Sequence, residues 1–152
     1  MKYLILILFG FSIIGCDPVD SRLTLINNTD RMLFYRTSTT DSLDGLSPYN
    51  YSFEVQGGDT VWDVSRNLIL PKDSTHLQII GEDAWEDFIN NDCEDSTLRV
   101  FIFTKGVLES FSWNTILKKQ LYINKYNLTV ENLQESNWKV KVSEPLKTKA
   151  VE

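Results

Sequence analysis

Histidine and cysteine are nearly absent: among 152 residues the chain has one histidine, His76, and two cysteines, Cys16 and Cys93. A zinc site of the usual kind draws its ligands from clusters of these two residue types. A Ser-His-Asp or Cys-His nucleophile needs a histidine with placed partners. No G-x-S-x-G elbow and no H-E-x-x-H pair occurs. Glycine is sparse as well, seven in all. Gly57-Gly58 is followed by neither Lys-Ser/Thr nor a helical pattern, so it does not build a phosphate-cradling loop. His76 therefore reads as a strand-face residue, and the chain as non-enzymatic, with no cofactor and no metal.

Basic charge is also short, with 15 Lys and Arg against 21 Asp and Glu and a net charge of −6. An acidic domain repels nucleic acid and anionic head groups, so no nucleic-acid partner is expected. No apolar run approaches the ~20 residues that a membrane-crossing helix needs. The longest, Tyr3 to Ile14, follows the single positive charge of Lys2. Its length suits the apolar region of a secretory signal, about 7–15 residues. It ends in Ile13-Ile14-Gly15-Cys16, which resembles a lipobox. Small Gly15 lets the backbone enter a peptidase, and the Cys16 thiol accepts a diacylglycerol thioether. Residues 1–15 are thus expected to be a removed signal peptide. Cys16 is expected to be a lipidated first residue holding the protein to a membrane of the cell envelope, with the outer membrane favoured. Asp17 adds little, because the influence of an acid at that place differs between bacterial lineages.

With Lys2 removed, residues 16–152 carry a net charge of −7 and have the length of one domain. Cys93 is then the sole thiol and cannot form an intrachain disulfide. Its neighbours Asp92, Glu94 and Asp95 disfavour a reactive thiolate. Residues 16–21 are expected to be a short tether, since six or seven extended residues span roughly 20–25 Å. A single β-rich domain is expected over 22–143, and a polar, flexible tail over 144–152.

Within 22–143 short strands dominate. Arg22–Asn27 and Arg31–Ser38 flank the turn cluster Asn27-Asn28-Thr29-Asp30 and read as an opening hairpin. Tyr51–Val55, Val61–Val64, Asn67–Leu70 and His76–Ile80 follow, then Leu98–Thr104, Tyr122–Tyr126 and Trp138–Val142. Leu98, Val100 and Ile102 alternate with Phe101 and Phe103, so this strand is apolar on both faces and expected to be central. Three short helices are expected behind the caps Asp83, Ser112 and Thr129, each with one apolar face to lay on a sheet. Leu128 and Leu133 hold the two positions of a hydrophobic staple around Thr129. The fold class is accordingly mostly β, an antiparallel sandwich or curled sheet with two or three short packed helices. The alternative is a more evenly mixed α+β domain.

Two constellations carry weaker chemistry. The acids Glu82, Asp83, Glu86, Asp87, Asp92, Glu94 and Asp95 offer oxygens to calcium, which takes about six to eight. They lack the EF-hand spacing and its glycine, and read as a solvated helix face with its exit loop. Trp62, Tyr49 and Tyr51 lie near polar loops where aromatics stack on sugars, whereas Trp85, Trp113 and Trp138 sit at core periodicity.

The C-terminal half has a recognisable order. Trp85-Glu86-Asp87-Phe88-Ile89 precedes Phe101-Ile102-Phe103, Trp113-Asn114-Thr115-Ile116, and Tyr126-Asn127-Leu128-Thr129-Val130-Glu131-Asn132-Leu133 with Trp138 beyond. This resembles small uncharacterised lipoproteins of Bacteroidota in which W-E-x-x-I, F-I-F, W-x-x-I and Y-x-L-T-x-x-D-L…W recur. Asn132 stands where an acid is usual. The resemblance covers roughly residues 80–142 plus the signal. It implies a shared fold and a lipid anchor, and no activity or functional residues.

It also implies envelope O-glycosylation at Asp-Ser/Thr-X. Four such triplets occur, centred on Ser42, Thr60, Ser74 and Ser96, all in or beside turns. The function expected is that of a membrane-anchored envelope protein, a non-enzymatic protein-binding or accessory component. The alternative is a carbohydrate-binding or fimbrial-type surface module.

Overall fold

The structure, a computed structural model, describes residues 18–45, 47–48, 52–54, 60–62 and 67–143. The expected signal over 1–15, Cys16, the expected tail over 144–152, Tyr49 and Tyr51 lie outside them. Eleven strands are described: β1 (Val19–Asp20), β2 (Thr24–Asn27), β3 (Leu33–Ser38), β4 (Ser52–Glu54), β5 (Thr60–Trp62), β6 (Leu68–Ile69), β7 (Ser74–His76), β8 (Ile79–Ile80), β9 (Leu98–Thr104), β10 (Asn124–Leu128) and β11 (Lys139–Val142). Four α-helices accompany them: α1 (Ala84–Asn91), α2 (Lys105–Ser110), α3 (Trp113–Lys119) and α4 (Val130–Glu135). The domain is mostly β with few helices, and its sheets do not close.

Strand β9 organises the layers. It is central in a four-stranded antiparallel sheet of order β10-β9-β3-β6, and all of it but Thr104 is buried. Leu98, Val100 and Ile102 face the main core, where they meet Leu25, Val140 and Val142 of a second sheet and Leu23 just before it, together with Trp85 and Ile89 of α1 and Leu133 of α4. Phe101 and Phe103 face the opposite way, into a smaller core that α2 and α3 cover with Leu108 and Ile116. Period-2 alternation with both faces apolar predicts this two-sided burial.

The second sheet has the order β11-β2-β7 and is mixed, because β11 runs parallel to β2. The opening hairpin expected from sequence is not formed. β2 pairs with β11 and β7, while β3 pairs with β9 and β6, so the intervening turn passes from one sheet to the other at the edge of the core. Asn27 makes this possible. It is fully buried, and its amide donates to the carbonyls of Arg31, Ile69 and Leu70 at 2.7, 3.2 and 2.9 Å. Its carbonyl oxygen accepts from the Thr29 N–H and hydroxyl at 2.9 and 2.7 Å. A buried amide with every group bonded holds the bridge between sheets, its hydrogen bonds offsetting the cost of leaving water.

Two of the three expected caps hold: the Ser112 and Thr129 side chains accept from Thr115 N–H and Asn132 N–H. Leu128 and Leu133 are buried together as the staple requires. Asp83 makes no side-chain cap and adopts φ 52°. Helix α2 was not anticipated, because it follows β9 with no intervening loop. Thr104 ends the strand and caps the helix, its hydroxyl accepting from Val107 N–H at 3.4 Å. The run His76–Ile80 divides into β7 and β8, which join different sheets. Within the segment 16–21 expected to be a tether, Val19 and Asp20 pair with Ile80 and Ile79.

The tryptophans separate by burial. Trp85 and Trp138 are buried, whereas Trp113 is half-buried, set edge-on to Phe103 at 5.8 Å. Its indole donates to the Gly45 carbonyl at 2.7 Å. Gly45 has φ +77°, and a Cβ there would stand 2.3 Å from the Arg36 guanidinium. Trp138 has φ 59°, a left-handed backbone that is unusual for a bulky residue. Its N–H donates to Leu133 O and its carbonyl accepts from Thr24 N–H, at 2.6 and 2.8 Å, which clamps it from both sides. Trp138→Ala is expected to cost about 3–5 kcal/mol. Trp113→Ala removes partial burial and is expected to cost about 1–2 kcal/mol. Urea denaturation of both variants checks the order, and equal losses would contradict it.

Candidate functional sites at the N-terminal end

Where the chain enters the fold, an ionic node ties it to α1. Asp20 has a side chain only 2% exposed. It accepts from Arg22 Nε and Nη2 at 2.9 and 2.7 Å, from Arg22 N–H at 3.2 Å, and from Trp85 N–H at 3.3 Å. The last bond satisfies an orphan donor in the first turn of α1. The cap expected of Asp83 is therefore supplied by Asp20, 65 residues from Trp85 in sequence. Arg22 also donates to Glu86 at 3.0 Å and stands 3.2 Å from Asp83. Its guanidinium lies 4.4 Å from the centre of the Trp138 ring. The Arg22 guanidinium holds the Asp20 carboxyl below its ordinary range, and the backbone N–H groups of Arg22 and Trp85 add to this against the opposing effect of burial. Around the node, Pro18–Arg22 and Gly81–Asp83 line an open depression of about 460 Å³.

A second cleft, about 580 Å³, is lined by Tyr35, Thr37, Asn67, His76, Gln78 and Trp85, with Leu77. Its walls carry neutral polar groups and two aromatic rings. His76 Nδ1 lies 3.1 Å from Thr24 Oγ1 and 3.3 Å from the Ser21 carbonyl. Among the described residues, no carboxylate lines this cleft. The Tyr35 hydroxyl bonds to Thr75, and burial pushes its pKa up. The Trp85 indole N–H is buried with no hydrogen-bond partner among the described residues.

No protein-family model, curated protein or solved structure matches the chain.

The residues singled out in the sequence are scattered. Ser42 lies in an exposed bend, Ser74 opens edge strand β7, and Ser96 lies in a short 3-10 turn; all three are exposed. Thr60 opens β5. Cys93 is buried, which raises its pKa. Among the described residues, no group of three or more His, Cys, Asp or Glu side chains is placed to hold a metal ion. Glu86 and Asp83 of the acidic stretch serve Arg22, and Glu94 accepts from Asp41 N–H at 3.0 Å.

Sequence reasoning missed two groups. One is the Asp20–Arg22 node, hidden in what looked like a tether. The other is buried Arg99, which donates to the Glu94 and Thr97 carbonyls and lies 3.5 Å from Asp41. Asp41 is held below its ordinary pKa chiefly by Lys125, 2.7 Å away. The only signal in sequence was an arginine inside an otherwise apolar strand.

A depressed carboxylate pKa contributes stability in full above the unfolded value, about 3.9, and loses it as pH falls through the lower folded value. Asp20→Asn is therefore expected to destabilise the domain by about 1–3 kcal/mol at pH 7, discounted for the part-exposed arginine. The gap from wild type should narrow below about pH 4. Asp41 is present in both proteins and cancels. Denaturant titrations at pH 7, 5 and 3 test this, and a gap that widens on acidification would refute it.

Proposed function

We propose that this protein is a lipoprotein of the bacterial cell envelope, related to the small Bacteroidota lipoproteins it resembles. It carries its lipid on Cys16, with residues 1–15 removed. The observation that carries the reading is the sequence of events at the N-terminus. One positive charge, an apolar run and Gly15-Cys16 come in that order, and the first strand begins only three residues past the cysteine, at Val19. Each buried CH₂ of the lipid contributes about 0.8 kcal/mol, and more than one chain makes the anchor stable. The outer membrane is the favoured location. The working part is then a non-enzymatic β domain held at the membrane, an accessory or protein-binding component. A small apolar patch suits a protein partner: Met32 and Leu70 are exposed and flank the Leu33–Ile69 pair at the edge of the central sheet. Cys16→Ser is expected to abolish incorporation of labelled fatty acid and to release the domain from membranes. Intact mass of the wild-type protein from its native envelope should show lipid on Cys16, and also reads any glycan on Ser42, Thr60, Ser74 or Ser96. Label retained on the variant, or cleavage elsewhere, would sink the proposal.

The cleft beside His76 favours a second reading, a carbohydrate-binding module. Neutral hydrogen-bonding side chains with aromatic walls suit an uncharged polyhydroxylated ligand. Neutral oligosaccharides should then change indole fluorescence saturably, and Asn67→Ala with Gln78→Ala should weaken the effect at least tenfold, about 1.4 kcal/mol. No saturable change across a panel of neutral glycans would exclude it.

A further inference from the structure

Val19 and Ile80 stand directly opposite each other in the β1–β8 ladder, and they are 53% and 73% exposed. Ile80 is the most exposed large apolar side chain among the described residues. Pro18, beside them, is exposed as well. Exposed apolar residues scattered singly need no explanation, but the position of this pair is distinctive. Only Asp17 separates Cys16 from Pro18, whose carbonyl already accepts from Gly81 N–H at 2.7 Å. Gly81 has φ +126°, and a Cβ there would meet Ala84 at 2.8 Å, so this close turn holds β8 and α1 together.

The three residues from Cys16 to Val19 reach at most about 10–11 Å. The polar layer of one leaflet is about 5–8 Å deep. Acyl chains in the hydrocarbon put the Cys16 backbone in that layer, so Val19 lies in it or no more than about 10 Å beyond it, too near for a long solvated spacer. From this we infer that the Val19–Ile80 edge is a membrane-seating surface, with both side chains set into the head-group layer of a zwitterionic lipid bilayer. The inference rests on the lipid at Cys16 proposed above. The charges at this end select the lipid. Glu82 and Asp83 are exposed acids, and Arg22 is committed to Asp20, Glu86 and Asp83, so these described residues do not attract an anionic surface. The domain is thereby docked in one orientation, with α2 and α3 on the far side of the central sheet.

The test uses the full lipidated chain in phosphatidylcholine vesicles, with a nitroxide label at Glu82→Cys or, as the distant control, at Lys118→Cys on α3. Cys93 is buried and stays unlabelled. Collision with oxygen, which concentrates in the bilayer, is compared with collision with a polar nickel chelate. The oxygen-to-nickel ratio is expected to be several-fold higher at position 82 than at 118. Adding Val19→Ser and Ile80→Ser should bring it down to the control value. Equal ratios at the two sites in protein whose mass includes the lipid would overturn the seating surface alone. So would a high ratio that the serine pair leaves unchanged, because nearness to the anchor would then suffice. A mass without lipid would overturn both this inference and the lipoprotein reading.

Discussion

Strand β9 has no polar face to give to water, and the remaining architecture satisfies that constraint. Its two sets of side chains need two covers, and the domain supplies different ones: a second sheet with α1 and α4 on the leucine and valine face, and α2 with α3 on the phenylalanine face. Burying one large aliphatic or aromatic side chain contributes about 1.5–3 kcal/mol, so a strand buried on both sides stabilises more per residue than any edge strand here. The helices need not be stable alone. Each has six to eight residues, below the length at which an isolated helix persists in water, and each is held by its cap and its single apolar face.

The N-terminal segment is bound into this core by polar groups. Asp20 joins the first strand to the start of α1, Arg22 joins α1 to the Trp138 ring, and Trp138 leads into β11. A buried carboxylate in such a place is tolerated only because it is fully bonded. From Pro18 onward the chain is bonded into the fold. A lipid at Cys16 would pull on a braced corner, and the domain's attitude to the membrane would follow from its own structure. The polar cleft near His76 borders the same region, sharing Trp85 with the node.

Much of the fold was legible in sequence where the signal is local. The alternation in Leu98–Thr104, the Ser112 and Thr129 caps, and the Leu128–Leu133 staple concern residues within a few positions of one another, and each stands as read. The failures share a different property. Asn27-Asn28-Thr29-Asp30 is a turn, as its composition says, but composition does not specify whether the strands it joins lie side by side or face each other across a core. Asp83 has the right residue type for a cap, yet a carboxylate from β1 occupies that role. Trp113 and Trp138 have similar apolar neighbours in sequence, and only packing distinguishes a half-buried ring from a buried one.

The candidate sites follow the same division. Apolar period, capping chemistry and the run ending at Gly15-Cys16 are properties of contiguous residues, and the sequence alone determined them along with the mostly β class. Strand partners, the burial of Asp20, Asn27 and Arg99, and the exposure of Val19 beside Ile80 depend on segments brought together from across the chain. Those pairings were decided by the tertiary structure, because a polar side chain finds its compensating bonds, and an apolar one its cover or lack of it, only when distant residues arrive beside it.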